Sequence, residues 1–141
     1  ETAARNVVST KKLDKTTVLL VEDNDLNYEI AKFILETNGA KVLKASDGKQ
    51  AMDIFSESKE GEISVILMDV MMPVMDGVSA TAAIRSLDRS DASVVPIIAM
   101  TANTYTDDIE RVLTAGMNAF VEKPVDAEKL VDIIVKTLQK R

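Results

Sequence analysis

The stretch Val65–Gly77, VILMDVMMPVMDG, runs four apolar residues straight into Asp69, then continues apolar except for one proline until Asp76 and Gly77. A carboxylate at the end of an apolar run is either an acidic strand terminus or a reactive group held at a sheet edge. Three other apolar runs also end on side chains able to do chemistry. VLLV (Val18–Val21) is followed by Glu22, Asp23 and Asn24, PIIAM (Pro96–Met100) by Thr101, Ala102 and Asn103, and AFV (Ala119–Val121) shortly by Lys123 and Pro124. If these positions converge, three carboxylates, a hydroxyl and an ammonium share one edge. Glu22, Asp23 and Asp69 would repel one another there, and two compensators are available, the Lys123 ammonium and a divalent cation. Oxygen ligands alone point to a hard divalent ion, Mg²⁺ or Mn²⁺. The same parts suit phosphoryl transfer: a carboxylate nucleophile, a metal and a lysine to neutralise phosphoryl oxygens, and a hydroxyl donor in Thr101.

What the chain lacks narrows the chemistry further. There is no Cys and no His, which excludes disulfides, thiol catalysis, histidine-ligated zinc and a phosphohistidine within these 141 residues. A net charge of −6 is a poor start for nucleic-acid binding. No apolar run approaches the length of a membrane span. Apolar residues at 46% against 28% charged fit a single globular domain, and aromatics at 4% imply an aliphatic, Met-rich core. The chain opens on Glu1 rather than Met and is expected to be a piece of something longer.

The elements that must position these groups follow from periodicity. Lys41–Ala45 (KVLKA) joins the four runs as a fifth short strand. Between them lie segments of helical spacing, with Ile30, Phe33 and Ile34 on one expected face, Ala51, Ile54 and Phe55 on another, and Leu130, Ile133, Ile134 and Leu138 on the last. Asn38-Gly39 and Gly116 read as helix stops, Asp47 to Gln50 as a capping box, Gly61 as a turn before the third strand, Pro96 as the start of the fourth, and Asp126 as a cap. Short βα connections repeated five times force parallel strands with right-handed crossovers, an α/β sheet covered by helices on both faces. Ligands bind such sheets at the carboxyl ends of the strands. Residues 1–15 are polar and net basic, either a linker or a short helix packed on the domain; residues 16–141 form the domain proper.

The ordered set VLLVEDN, VILMDVMMPVMDG, PIIAMTAN and AFVEKP resembles the receiver domain of two-component response regulators over about nine-tenths of the chain. VEDNDLN, MTAN and KPV resemble in particular the receivers of hybrid sensor histidine kinases. The resemblance implies a (βα)5 flavodoxin-like, doubly wound sheet of strand order 2-1-3-4-5. It implies that Asp69 accepts a phosphoryl group from a histidine kinase or histidine phosphotransfer protein. Asp23 would ligate Mg²⁺, Glu22 would assist directly or through water, and the backbone carbonyl of Met71 would complete the ligands. Lys123 would contact the phosphoryl group and precede a cis Pro124. Thr101 and Phe120 would form the switch pair, with Phe120 lacking the hydroxyl common at that position. Met71 and Asn103 would tune hydrolysis, an apolar Met71 favouring a slowly decaying aspartyl phosphate. The implied location is cytoplasmic, with a parent chain that could be membrane-anchored.

Plainer readings stand beside these. Asp76 reads as a cap or turn residue, and Asp107, Asp108 and Glu110 as helix-start charges. Met68 reads as core, with Met71, Met72 and Met75 along a loop and Met72 packing inward. A turnover phosphohydrolase would need a second acid two residues after Asp69, where Met71 stands. A flavodoxin-like cofactor binder would not place Glu22-Asp23 where a phosphate must sit. A stand-alone or truncated regulator and an interaction-only receiver remain alternatives.

Overall fold

The computed structural model describes residues 12–70, 76–102 and 106–139. Five strands, β1 (Thr17–Val21), β2 (Lys41–Ala45), β3 (Val65–Asp69), β4 (Ile97–Thr101) and β5 (Ala119–Glu122), form one parallel sheet in the order β2-β1-β3-β4-β5. They alternate with five helices: α1 (Asp25–Thr37), α2 (Gly48–Glu57), α3 (Gly77–Arg85), α4 (Thr106–Thr114) and α5 (Ala127–Gln139). The expected architecture and strand order are therefore those observed. The runs read from the sequence fall within a residue of the strands, with β4 starting just after Pro96.

Period-two alternation splits the core between the two faces of the sheet. Leu19, Val21, Ile66, Met68, Ile97 and Ala99 face α2, α3 and α4, where Ala51, Phe55, Ala80 and Ile84 meet them. Val18, Leu20, Val65, Leu67, Ile98 and Met100 face α1 and α5, where Tyr28, Ala31, Leu35, Leu130 and Ile134 close the second layer. Burying each large aliphatic side chain contributes about 1.5–3 kcal/mol, so these two layers hold the sheet between its helices. Leu13, within the segment read as a linker or short helix, is fully buried in the α1–α5 layer, and its N–H donates to the Asn38 carbonyl at 2.8 Å.

The helix ends follow the punctuation. Asp47, Asp76 and Asp126 accept from the backbone N–H three residues on, at 2.9, 2.8 and 3.1 Å. The Gln50 side chain reaches Ser46 N–H rather than that of Asp47, so the box closes one residue early. Gly39 and Gly116 stand at φ +97° and +108°, where a side chain would be strained. One helical face departs from expectation. On α1 the buried residues are Tyr28, Ala31, Ile34 and Leu35, whereas Phe33 is 72% and Ile30 45% exposed, joined by Leu26 at 69%. The i, i+3, i+4 spacing fits two faces of this helix, and the sheet selects the one with small Ala31 at the contact. On α5 the inward face is Leu130, Val131, Ile134 and Thr137, with Ile133 and Leu138 only partly covered.

Candidate functional site at the carboxyl edge of the sheet

The strand register brings the chemistry-bearing residues level. Val21 pairs with Met68, so Glu22 and Asp69, the next residues of each strand path, lie side by side. Asp69 pairs with Met100, and Thr101 with Glu122, which sets Lys123 across from the end of β4; Lys123 N–H donates to the Thr101 carbonyl at 2.8 Å. Continuing the alternation, Glu22, Asp69 and Lys123 share the parity of the α1–α5 face, and Asp23 and Thr101 that of the other.

The result is a buried ion cluster. Asp69 and Glu22 are 4% and 3% exposed, and the Lys123 Nζ lies 3.0 Å from Asp69 Oδ2 and 2.9 Å from Glu22 Oε1. Glu22 Oε2 accepts from the Asn24 N–H at 3.2 Å. Asp23 is exposed, yet one carboxylate oxygen from each of Glu22, Asp23 and Asp69 lies within 4.8 Å of the others. Burial pulls the Lys123 ammonium below its ordinary value, but its charge-assisted hydrogen bonds to Glu22 and Asp69 outweigh that and hold it above. Three carboxylates against one ammonium leave an excess of two negative charges, matched in magnitude by one divalent cation. All-oxygen donors within that span fit a hard ion of the Mg²⁺ type.

The elements converge here for local reasons. Asn24 caps α1, its side chain accepting from Asn27 N–H at 2.8 Å, so the chain turns away directly after Asp23. Gly77 opens α3 against the end of β3: a Cβ there would stand 2.5 Å from the Asp69 carbonyl oxygen and 2.9 Å from Val70 Cα. Only glycine permits that approach, and sequence reasoning stopped at Asp76 as a cap. The Asp76-Gly77 pair carried the signal, since a glycine just inside a helix costs stability unless backbone must come close. The peptide bond between Lys123 and Pro124 is cis, as expected.

Thr101 ends β4 and is buried, and Phe120 lies on β5 opposite Ala99 with 38% of its surface exposed. Met68 is core as expected. Met71, Met72, Met75 and Asn103 lie outside the described residues. A cavity of about 640 Å³ lies elsewhere, between Val94, Pro96, Ala119 and Ile133 at the opposite strand ends, and no carboxylate lines it.

Comparison with known proteins gives the same grouping. Residues 18–135 match the response regulator receiver domain family. Over 119 residues, 83% of the chain, it is 40% identical to a hybrid signal transduction histidine kinase of Dictyostelium discoideum. Over 142 residues it is 37% identical to an osmosensing histidine protein kinase of Saccharomyces cerevisiae. The chain spans only 7% and 11% of the lengths of these two relatives. Among solved structures, the receiver domain of a sensor histidine kinase from Pseudomonas aeruginosa, which holds a magnesium ion in its active site cleft, aligns with TM-score 0.79 and 37% identity over 88% of this chain and 98% of that one. A chemotaxis protein of Vibrio cholerae aligns with TM-score 0.76 and 29% identity, over 89% and 97%. The chain belongs to the response regulator receiver domain family of two-component signalling.

Proposed function

We propose that Asp69 is a phosphoacceptor, taking a phosphoryl group from the phosphohistidine of a histidine kinase or histidine phosphotransfer protein. One observation carries this: a buried carboxylate at the sheet edge with an ammonium 3.0 Å from one oxygen and two further carboxylates in reach of a shared cation. An Asp69 carboxylate oxygen attacks phosphorus, the P–N bond breaks, and its electron pair returns to the imidazole nitrogen. Lys123 follows the charge from the carboxylate to a phosphoryl oxygen, and Thr101 donates to another. Held by Asp23, Asp69 and the Met71 carbonyl, with Glu22 beside them, Mg²⁺ would neutralise phosphoryl oxygens; the Pseudomonas relative with magnesium in its cleft supports that choice.

With no histidine in the chain, the donor must come from outside these residues and seat beside Asp69. Leu26, Ile30 and Phe33 make an exposed apolar stripe on α1, and Ile30 also lines a small cleft with Pro124 and Val125 that reaches Glu22 and Lys123. A donor helix laid on this stripe brings its histidine to the site. Phosphorylation would draw Thr101 inward and repack Phe120, changing the surface of α4 and β5. Met71 would leave hydrolytic water poorly placed and the aspartyl phosphate long-lived, with Asn103 beside it. Its similarity to two histidine kinases far longer than itself supports a parent of the hybrid histidine kinase type, with this domain on the cytoplasmic side.

The test is intact mass after incubation with a small acyl phosphate, with and without Mg²⁺. One phosphoryl adduct that requires Mg²⁺ and is lost in Asp69→Asn supports the reading. An adduct that persists in Asp69→Asn assigns another acceptor, and no adduct with either acyl phosphate or a phosphohistidine donor defeats it.

A further inference from the structure

The three carboxylates of the site are not equivalent. Asp23 is exposed, and among the described residues no hydrogen bond or ion pair engages its side chain. Asp69 accepts from the Lys123 ammonium through Oδ2 at 3.0 Å. Glu22, with 2% of its side chain exposed, has both oxygens taken by protein donors: Oε1 by the Lys123 ammonium at 2.9 Å and Oε2 by the Asn24 N–H at 3.2 Å. To ligate a cation, Glu22 would have to surrender one of these and leave either the ammonium or a backbone N–H short of a partner beside a carboxylate that is almost wholly buried. Breaking a buried charge pair by removing one partner is among the most costly local changes.

We infer that Glu22 is a positioning residue for Lys123, a fixed anchor that keeps the ammonium beside Asp69 throughout phosphoryl transfer, rather than a ligand of the metal. This rests on the phosphoacceptor reading and divides the labour within it: Asp23 and Asp69 face the cation, and Glu22 and Asn24 face the lysine. The physical need is clear from the charge balance. When Asp69 becomes an acyl phosphate, the carboxylate that held Lys123 ceases to be an anion, and the new charge sits on phosphoryl oxygens farther out. An ammonium held by Asp69 alone would be released at that moment. One tethered to Glu22 keeps a partner and has only to turn its other N–H bonds toward the phosphoryl group, so its position is set before the reaction rather than during it.

The test is Glu22→Gln, whose amide oxygen still accepts from Asn24 N–H while the charge facing Lys123 is lost. Two readouts apply. In the metal-free protein, ammonium protons held by two carboxylates exchange slowly with water, so Lys123 Nζ gives a ¹H–¹⁵N correlation that exposed lysines do not; it should vanish in Glu22→Gln. In acyl-phosphate phosphorylation titrated with Mg²⁺, the maximal rate at saturating Mg²⁺ should fall about tenfold, the scale expected when a charged group is mispositioned. A Glu22→Gln protein that regains the full rate at high Mg²⁺, needing only more metal, would make Glu22 a ligand and overturn the inference, as would a Lys123 correlation that survives the substitution. Should Glu22→Gln not fold, Glu22→Asp withdraws the carboxylate by one methylene with the charge kept, and the same two outcomes decide. Wild-type protein that takes no phosphoryl group would defeat the phosphoacceptor reading instead, and the metal-free spectrum would still decide the role of Glu22.

Discussion

Two charge clusters sit at opposite ends of this sheet, and they are built on opposite plans. At the carboxyl edge, Lys123 faces Glu22 and Asp69 with Asp23 close by, and negative charge is left over. At the other end, Arg89 meets Asp91 through two hydrogen bonds, Nε to Oδ1 at 2.6 Å and Nη2 to Oδ2 at 3.0 Å. Its Nη1 caps α2 by donating to the carbonyls of Phe55 and Ser58 at 2.8 and 2.9 Å, its guanidinium lies 4.6 Å from the Phe55 ring centroid, and Asp91 accepts from Gly61 N–H at 2.9 Å. Arg85 follows the same closed plan with neutral partners, donating to the carbonyls of Ala92, Val95 and Gly116 and to Asn118 Oδ1; burial without a carboxylate holds it below its ordinary value. Charges that only hold the fold together are closed off by protein acceptors, Arg89 by one carboxylate and backbone carbonyls and Arg85 by neutral oxygens alone. The cluster left with excess negative charge is the one to which the phosphoacceptor reading assigns a cation and a phosphoryl group.

If that contrast is sound, the clusters respond differently to loss of a member. The largest effect is functional: Asp69→Asn should abolish phosphoryl acceptance, read by intact mass, and yet cost little stability, because it relieves repulsion among three carboxylates while Lys123 keeps Glu22. Denaturation that shows Asp69→Asn to be several kcal/mol less stable would make this cluster structural after all. Next comes Arg89→Met, which strands Asp91 and the last carbonyls of α2. It should lower unfolding free energy by about 3 kcal/mol in urea denaturation and leave acyl-phosphate labelling of Asp69 intact.

A third experiment uses the excess charge directly. Lys123→Met leaves three carboxylates without their ammonium, so Mg²⁺ should bind more tightly than to the wild type and stabilise the fold more at equal concentration. At ten times its Kd, a ligand that binds only the folded state adds about 1.4 kcal/mol, visible as a rise in Tm. Arg89→Met should show the same Mg²⁺ shift as the wild type. Equal shifts in wild type and Lys123→Met would mean that Lys123 does not offset the charge the metal sees.

The sequence and the structure agree most closely where a residue type and its strand position act together. Asp69, Glu22 and Lys123 were legible because each follows an apolar run and parallel pairing brings run ends level. The inward face of α1 was not, because Ile30, Phe33 and Ile34 satisfy helical spacing as well as Tyr28, Ala31, Ile34 and Leu35 do, and only the approach of the sheet decides between them. Two of the three residues read as one face, Ile30 and Phe33, instead join Leu26 in the exposed stripe beside the site, while Ile34 is buried. Arg85 and Arg89 were invisible for another reason. Their partners are mainly backbone carbonyls and a carboxylate two residues away, and carbonyls carry no signature in side-chain identity. Leu13 is a case between these, a lone apolar residue in a polar segment whose burial depends on the Asn38-Gly39 turn against which residues 13 and 14 lie.

The smallest effect is in pH, and it takes opposite signs at the two ends. The hydrogen bonds from Arg89, against burial and aided by Gly61 N–H, hold the Asp91 carboxyl below its ordinary 3.8. A depressed carboxylate contributes stability that is present above its unfolded pKa and lost as pH falls through the folded one, so this contribution fades below about pH 4. Lys123 is raised, so its contribution is present below the ordinary lysine value of 10.5 and lost as pH rises through the folded one. Asp91→Asn should therefore flatten the acid limb of the stability profile and leave the alkaline limb unchanged, and Lys123→Met should flatten the alkaline limb. The acid term should be smaller than the Arg89→Met loss, because protonating Asp91 leaves the guanidinium on the Phe55 and Ser58 carbonyls. An acid limb as steep in Asp91→Asn as in the wild type would place the acid-sensitive charge elsewhere and remove the clasp from the comparison.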